Sequence, residues 1–200
     1  MSLSTNLEIE FKNMLEKKEY EHLMSLFNSS NQPLIVQQNI YYDTPDAQLK
    51  AKKSALRIRV KHDTYELTLK LPQPIGLLEV NQPLTRKEVD DFNTYQQLPN
   101  GAVTEALVQH GILIASLQML TDLTTKRFEC DYKGGLLVLD ESYYHQITDY
   151  ELEYEVTDHE RGYHIFLDFL QTYHIQKRPA QSKIKRALHA KATETKNIMS

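Results

Sequence analysis

A short charged segment at the start of the chain, Leu7–Lys12, has a spacing that suits metal and anion binding. Side chains on a β-strand point alternately to opposite faces. Glu8, Glu10 and Lys12 would therefore share one face, opposite three apolar residues. Two carboxylates on a rigid strand can hold a hard divalent cation, and the lysine beside them indicates an anionic ligand. The alternation returns in residues 150–156, so acidic strands occur near both ends of the chain.

The composition is that of a soluble globular protein, and its 200 residues predict a single domain over residues 1–200. We expect no membrane partner, because no apolar run is long enough to span a bilayer and no signal peptide is apparent. The formal net charge of -4 argues against nucleic-acid binding through a basic surface. The only cysteine, Cys130, excludes an intrachain disulfide and a cysteine zinc cluster, and it reads as a core thiol. A cytoplasmic location is the default expectation.

The order of apolar and polar residues predicts several strands and helices. After the first strand, three helices are expected over residues 13–28, 102–110 and 181–192, and the last residues of the chain are expected to be frayed. Two capping boxes predict two more helices: a short one that follows Thr85–Glu88, and one that runs from Thr157–Glu160 to about residue 173. Further strands are expected over 34–43, 55–61, 64–71, 76–83 and in several segments of 112–156, with a hairpin turn at 133–135. At least seven strands indicate an antiparallel sheet or barrel with helices laid on it.

The polar faces of these strands carry blocks of a single charge. Basic blocks lie at Arg57–Lys61 and at 183–186, whereas acidic blocks lie in the two strands named first. Any one block could be a solvated sheet face. Like charges at i and i+2 repel, however, and a barrel closed with these faces inward would let acidic and basic strands compensate each other, together with a metal and a polyanion. Such a site could carry out phosphoryl transfer, which needs mainly positioning and charge neutralisation.

Other common catalytic motifs are missing from the sequence. It contains no Walker-type phosphate loop, no dinucleotide fingerprint, no HExxH spacing and no Gly-x-Ser-x-Gly nucleophile motif.

Glu8-x-Glu10-x-Lys12 resembles the ExExK signature of the CYTH superfamily, the triphosphate tunnel metalloenzymes. Further matching segments follow in the family's order over about residues 6–186, and the chain is similar to the stand-alone members of low-GC Gram-positive bacteria. These segments are Gln38-x-x-Tyr41-Tyr42-Asp43-Thr44, Leu56-Arg57-Ile58-Arg59, Leu67-Thr68-Leu69-Lys70, Glu79, Lys126-Arg127, Leu139-Asp140 and Glu151-Leu152-Glu153.

The resemblance implies an α+β fold, an eight-stranded antiparallel β-barrel that forms a charged tunnel with helices outside. It implies Mg²⁺ or Mn²⁺ as cofactor, a catalytic set of Glu8, Glu10, Lys12 and Glu153, and metal ligands drawn from Glu8, Glu10, Glu151, Glu153 and Asp140. The residues implied to contact triphosphate oxygens are Lys12, Arg57, Arg59, Lys70, Arg127 and Lys183. Supporting carboxylates would be Glu79, Glu129 and Glu155, and Asp140 could also serve in that role or hold a second metal.

Two assignments leave alternatives. Only one of the adjacent Lys126 and Arg127 can face inward, and Arg127 is in phase with Glu129. Glu151, Glu153 and Glu155 share one face, so two registers are open for the family's acidic pair.

The resemblance is compatible with three functions. The first is metal-dependent hydrolysis of a triphosphate, with inorganic triphosphate ahead of nucleoside or thiamine triphosphate. The second is an adenylyl cyclase of class IV type, and the third is a module that binds polyphosphate without turnover. The expected partner in each case is a small polyanion, and both a monomer and a homodimer are compatible with the sequence.

Overall fold

The computed structural model describes the backbone of residues 4–199 and the side chains of residues 5–194. Eight strands form a closed antiparallel barrel in the order β1-β5-β4-β3-β2-β6-β7-β8, with six helices outside, which confirms the predicted fold class. The strands are β1 Ser4–Leu15, β2 Ile35–Asp43, β3 Ala55–Lys61, β4 Thr64–Pro72, β5 Leu77–Leu84, β6 Gln118–Tyr132, β7 Gly135–Tyr144 and β8 Ile147–Val156. The helices are α1 Lys17–Phe27, α2 Gln48–Ala51, α3 Arg86–Tyr95, α4 Ala102–Gln109, α5 His159–Thr172 and α6 Lys183–Met199, with a short 3₁₀ helix at Ile114–Ser116. No helix in the described part of the chain is long and apolar enough to cross a membrane.

The first helix begins later than the sequence predicts, because β1 continues to Leu15. The buried Asn13 side chain accepts a hydrogen bond from the backbone N–H of Arg178 at 2.7 Å and donates to the Gln176 carbonyl at 3.0 Å. These contacts hold residue 13 in extended backbone. The helix then starts after Glu16, whose backbone N–H donates to the Glu19 carboxylate at 2.7 Å.

The start of α5 and the end of α6 also differ from the prediction. The N-cap of α5 is Asp158 rather than Thr157, and its carboxylate accepts from the Arg161 N–H at 3.0 Å. The last helix continues to Met199 instead of ending near residue 192, since no glycine or proline interrupts it. Residue 200, part of the tail expected to fray, lies outside the described residues.

The chain divides into two compact units, of which the first comprises Met1–Leu7 and Gln38–Asp122. Its core lies between the sheet β3-β4-β5 and helices α3 and α4. Leu56 and Leu69 from the strands pack in one cluster with Phe92 and Leu107 from the helices. Because these apolar residues face the helices on the outside of the barrel, the alternate residues of the same strands face its interior.

The second unit comprises Glu8–Gln37 and Leu123–Ser200. Leu139, Leu152 and Tyr154 from the strands pack here with Phe166 and Phe169 of α5. Alternation again turns the remaining side chains of these strands to the interior face, and most of them are charged.

The turn at Lys133-Gly134 sets the pairing of β6 with β7. Both residues have positive φ, +46° and +86°, as a two-residue hairpin of type I′ requires. The predicted hairpin is therefore confirmed. Its register places Arg127 directly opposite Asp140.

Candidate metal and anion site

The pairing of β1 with β8 in the second unit brings the two acidic strands together. Glu10 lies opposite Glu155, and Lys12 lies opposite Glu153. Carboxylate oxygens of Glu8, Glu10 and Glu155 all lie within 4.8 Å of one another. These three residues form a carboxylate cluster that could hold a metal ion.

The charge of this cluster fits a divalent cation. The pKa of Glu155 is raised to about 7, mainly because the side chain is partly buried; Arg127 opposes this rise, and the nearby Glu153, Glu8 and Glu10 add to it. The donors are all carboxylate oxygens, the ligand type that hard cations prefer. A cation bound among them would offset the mutual repulsion of the carboxylates.

Glu153 occupies a different environment although it is only two residues from Glu155. Its carboxylate is buried and contacts Lys12 Nζ at 3.2 Å, Lys183 Nζ at 2.7 Å and Arg127 Nη2 at 2.7 Å. Burial alone would raise the pKa of Glu153, but these three cations hold it well below its usual range. Glu153 therefore stays ionised at the centre of a network of ion pairs.

Arg127 is held in a bidentate pair by the residue opposite it. Its Nε donates to Asp140 Oδ1 at 2.8 Å, and its Nη2 donates to Asp140 Oδ2 at 2.7 Å. Its Nη1 lies 3.6 Å from Glu129 and 3.9 Å from Glu155. The donor edge that could grip an outside anion is therefore taken up by Asp140.

Helix α6 contributes two cations to the same network. Lys183 Nζ lies 2.8 Å from Asp140 Oδ2 and 3.2 Å from Glu151 Oε2. One turn later, Arg186 Nε lies 2.8 Å from Asp149 Oδ2, and its Nη2 contacts Glu151. Arg186 was not predicted from the sequence as a site residue, although its spacing of three from Lys183 places both on one helical face.

The first unit carries its own charged face on β3, β4 and β5. Lys70 lies opposite Glu79, with Nζ 2.6 Å from Oε1, and Arg57 Nη2 is 3.8 Å from the same oxygen. Burial raises the pKa of Glu79, but attraction to Lys70 and Arg57 outweighs this effect and lowers it. Arg59 Nε donates to the buried Asn39 Oδ1 at 3.2 Å. Asn39 was not predicted from the sequence as a site residue, and only its place in the alternation of β2 could have indicated it.

The structure thus sorts the residues named from sequence into three groups. Glu8, Glu10 and Glu155 form the carboxylate cluster, whereas Glu151, Glu153 and Asp140, assigned to metal from sequence, lie in ion pairs with basic side chains. The third group, on the first unit, is Arg57, Arg59, Lys70 and Glu79. Lys126 belongs to none of these groups: its Nζ lies 4.9 Å from the centre of the Tyr143 ring, away from its neighbour Arg127.

Comparisons with known proteins identify the family. The CYTH domain model matches residues 6–188, so this chain belongs to the CYTH family. The Bacillus subtilis protein named "Putative triphosphatase YjbK" is 40% identical over 184 residues, which cover 92% of this chain and 95% of that protein.

Solved structures show the same fold. A Bacillus halodurans protein described as a "putative adenylate cyclase" superposes with a TM-score of 0.87 at 38% identity, over 91% of this chain and 97% of that chain. A Hippeastrum protein, described as an adenylyl cyclase candidate with "a dominant triphophatase activity", gives a TM-score of 0.75 at 21% identity, over 92% of this chain and 96% of that one. Its likeness shows the fold alone.

Proposed function

We propose that this protein hydrolyses the terminal phosphoanhydride of a triphosphate with Mg²⁺ or Mn²⁺, and that inorganic triphosphate is the substrate to test first. The observation that carries the proposal is the carboxylate cluster of Glu8, Glu10 and Glu155, set beside a dense group of cations on one interior sheet face. The 40% identity to a protein named as a triphosphatase supports it.

The residues divide the work between holding a metal and holding phosphate. Glu8, Glu10 and Glu155 would hold the cation, which supplies neutralisation of phosphate-oxygen charge when bound. Lys12 Nζ, 2.8 Å from Glu10 Oε1, would contact a phosphate oxygen next to that cation. We propose the same contact for Arg57, Arg59 and Lys70 on the first unit.

The buried network of the second unit would keep these groups in position. Glu153 orients Lys12 and Lys183, and Asp140 orients Arg127. Arg127 would thus reach an anion only through Nη1, and Asp140, Glu151 and Glu153 would keep Arg127 and Lys183 fixed. A water oriented by a carboxylate of the cluster would attack the terminal phosphorus in line with the leaving oxygen.

The decisive assay measures orthophosphate release from inorganic triphosphate, ATP and thiamine triphosphate, each with Mg²⁺ and with Mn²⁺. Glu10→Gln keeps the size of the side chain but removes a charged ligand, so we expect turnover to fall at least about 100-fold. Glu105→Gln, an exposed position on α4, is the matched control and should keep full turnover. Unchanged turnover in Glu10→Gln would contradict the proposal.

Adenylyl cyclase is the second candidate, favoured by the description of the 38% identical Bacillus halodurans protein. It would use the same metal and phosphate ligands. Cyclic AMP and pyrophosphate formed from ATP would identify this activity in the same assay. Binding of inorganic triphosphate without release of any product would instead identify a non-catalytic module.

A further inference from the structure

Three polar residues form a straight row across the interior face of the first unit. In the antiparallel register, Arg57 on β3 lies directly opposite Thr68 on β4, and Thr68 lies directly opposite Asn81 on β5. Directly opposed side chains start about 5 Å apart, so the three can reach one small ligand together. Neither Thr68 nor Asn81 has a role in the site described above.

Each residue of this row contributes a buried polar atom that lacks a hydrogen-bond partner. Across the side chains described for residues 5–194, no group bonds to Arg57 Nε, Thr68 Oγ1 or Asn81 Oδ1. Thr68 is 0% exposed. Buried polar atoms are nearly always hydrogen-bonded in native proteins, and an unpaired one is destabilising. Three of them side by side therefore indicate partners that come from outside the chain.

The free atom of Arg57 identifies the charge of the missing partner. Nε and Nη2 form the edge with which a guanidinium grips an oxyanion through two parallel bonds. In Arg127 this edge is occupied by Asp140, at 2.8 Å and 2.7 Å. In Arg57 the Nε is unbonded, and Nη2 is 3.8 Å from Glu79, beyond hydrogen-bonding distance. The edge is open for an anion.

The other two residues of the row can donate to the same anion without adding charge. The Thr68 hydroxyl rotates freely and can act as donor. Half a turn of the Asn81 amide exchanges its oxygen for an N–H donor at the same place. One charged edge and two neutral donors match the several oxygens of a tetrahedral phosphoryl group.

We propose that Thr68 and Asn81 bind substrate and, together with Arg57, hold one phosphoryl group of the triphosphate. This inference rests on the proposed function and extends it to two neutral residues. Because their polar atoms have no partner in the described part of the chain, Thr68 and Asn81 contribute to substrate affinity and not to folding.

The test separates affinity from stability in the full-length protein. Thr68→Val replaces the hydroxyl with a methyl group of similar size. We expect the Kd for inorganic triphosphate, measured by calorimetry in EDTA, and the KM for its hydrolysis with Mg²⁺ to rise about 10- to 100-fold. The thermal midpoint should stay unchanged or rise, because an unpaired hydroxyl is removed. Asn81→Leu should behave in the same way, and Thr68→Ser should restore affinity.

Thr125→Val is the matched control. Thr125 is also 0% exposed, but its hydroxyl has a partner, Ser142 Oγ, at 3.2 Å. This variant should lose stability and keep its affinity for triphosphate.

The possible outcomes distinguish the two proposals. Equal binding by the unchanged protein, Thr68→Val and Asn81→Leu would overturn the inference alone. A fall in the thermal midpoint of Thr68→Val without loss of affinity would also overturn it, because the hydroxyl would then be structural. Absence of triphosphate binding by the unchanged protein, with and without Mg²⁺, would overturn the proposed function and the inference together.

Discussion

The two charged faces of this barrel both arise from alternation of charged and apolar residues along strands. They differ in whether their polar groups have partners within the chain. In the second unit, Asp140 fills the donor edge of Arg127 and Asp149 accepts from Arg186. In the first unit, the corresponding edge of Arg57 is open and Thr68 beside it is unpaired. One face is therefore neutralised largely by partners within the chain, whereas we propose that the other receives an anion.

The largest expected effect concerns the stability of the internally neutralised face. Asp140→Asn removes the charge that pairs with both Arg127 and Lys183 at a position that is 0% exposed. Breaking a buried ion pair from one side typically costs about 3–5 kcal/mol, so we expect a loss of that order in the free energy of unfolding measured with urea.

Two further variants should lose less free energy of unfolding than Asp140→Asn. Glu79→Gln in the first unit should lose less, because that side chain retains 14% exposure to solvent. Asp91→Asn, which breaks the exposed pair with Lys87, should stay within about 0.5 kcal/mol. Equal losses in Asp140→Asn and Glu79→Gln would show that the two faces are satisfied alike.

Replacing Arg127 or Arg57 with lysine compares the two faces through a smaller change, because lysine keeps the positive charge but lacks the bidentate edge of arginine. Arg127→Lys should lower the free energy of unfolding by about 1.5–3 kcal/mol, as expected for hydrogen bonds to a charged group. Arg57→Lys should change stability by less than about 0.5 kcal/mol but raise the KM for inorganic triphosphate roughly tenfold. Urea unfolding and steady-state kinetics on both variants measure the contrast, and the reverse pattern would contradict it.

The smallest effect is the pH dependence that Glu79 gives to stability. The folded-state pKa of Glu79 is lowered by Lys70 and Arg57, against the effect of burial. Its unfolded-state value is about 4.3, so the folded state binds fewer protons in acid. The stabilisation is therefore complete above pH of about 5 and is lost as pH falls through the folded-state pKa.

The measurement is the difference in urea midpoint between the unchanged protein and Glu79→Gln from neutral pH to about pH 3. We expect a constant difference above pH of about 5 that shrinks in acid. Glu105→Gln, at an exposed position, should show no such change. A difference that grows as pH falls would mean that the pKa of Glu79 is raised on folding.

Local patterns predicted the secondary structure well where the chain follows its own propensities. The alternation in residues 55–71 gave β3 and β4 nearly to the residue, and the capping box at Thr85 gave the start of α3. The late start of α1, in contrast, depends on residues far away in the chain. Asn13 remains in β1 because residues 176 and 178 bond to its side chain, which no local pattern reveals.

The carboxylate cluster was only partly predictable for a similar reason. Glu8 and Glu10 stand out by their spacing, but Glu151, Glu153 and Glu155 are equivalent in the sequence because all three share one strand face. The pairing of β1 with β8 separates them by placing Glu10 opposite Glu155 and Lys12 opposite Glu153. Arg57 and Arg127 are likewise equivalent as basic residues on strands until the residue opposite each is known.

The sequence by itself determined which side chains share a face, because the period of two in a strand is a local property of the backbone. It also determined the family, through motifs spread over most of the chain. Only the tertiary structure decided which acid joins the cluster, which arginine is open and which helix delivers Lys183. These choices depend on strand register and on contacts between residues far apart in the chain, and a shift by two residues would keep every side chain on its face while exchanging every partner.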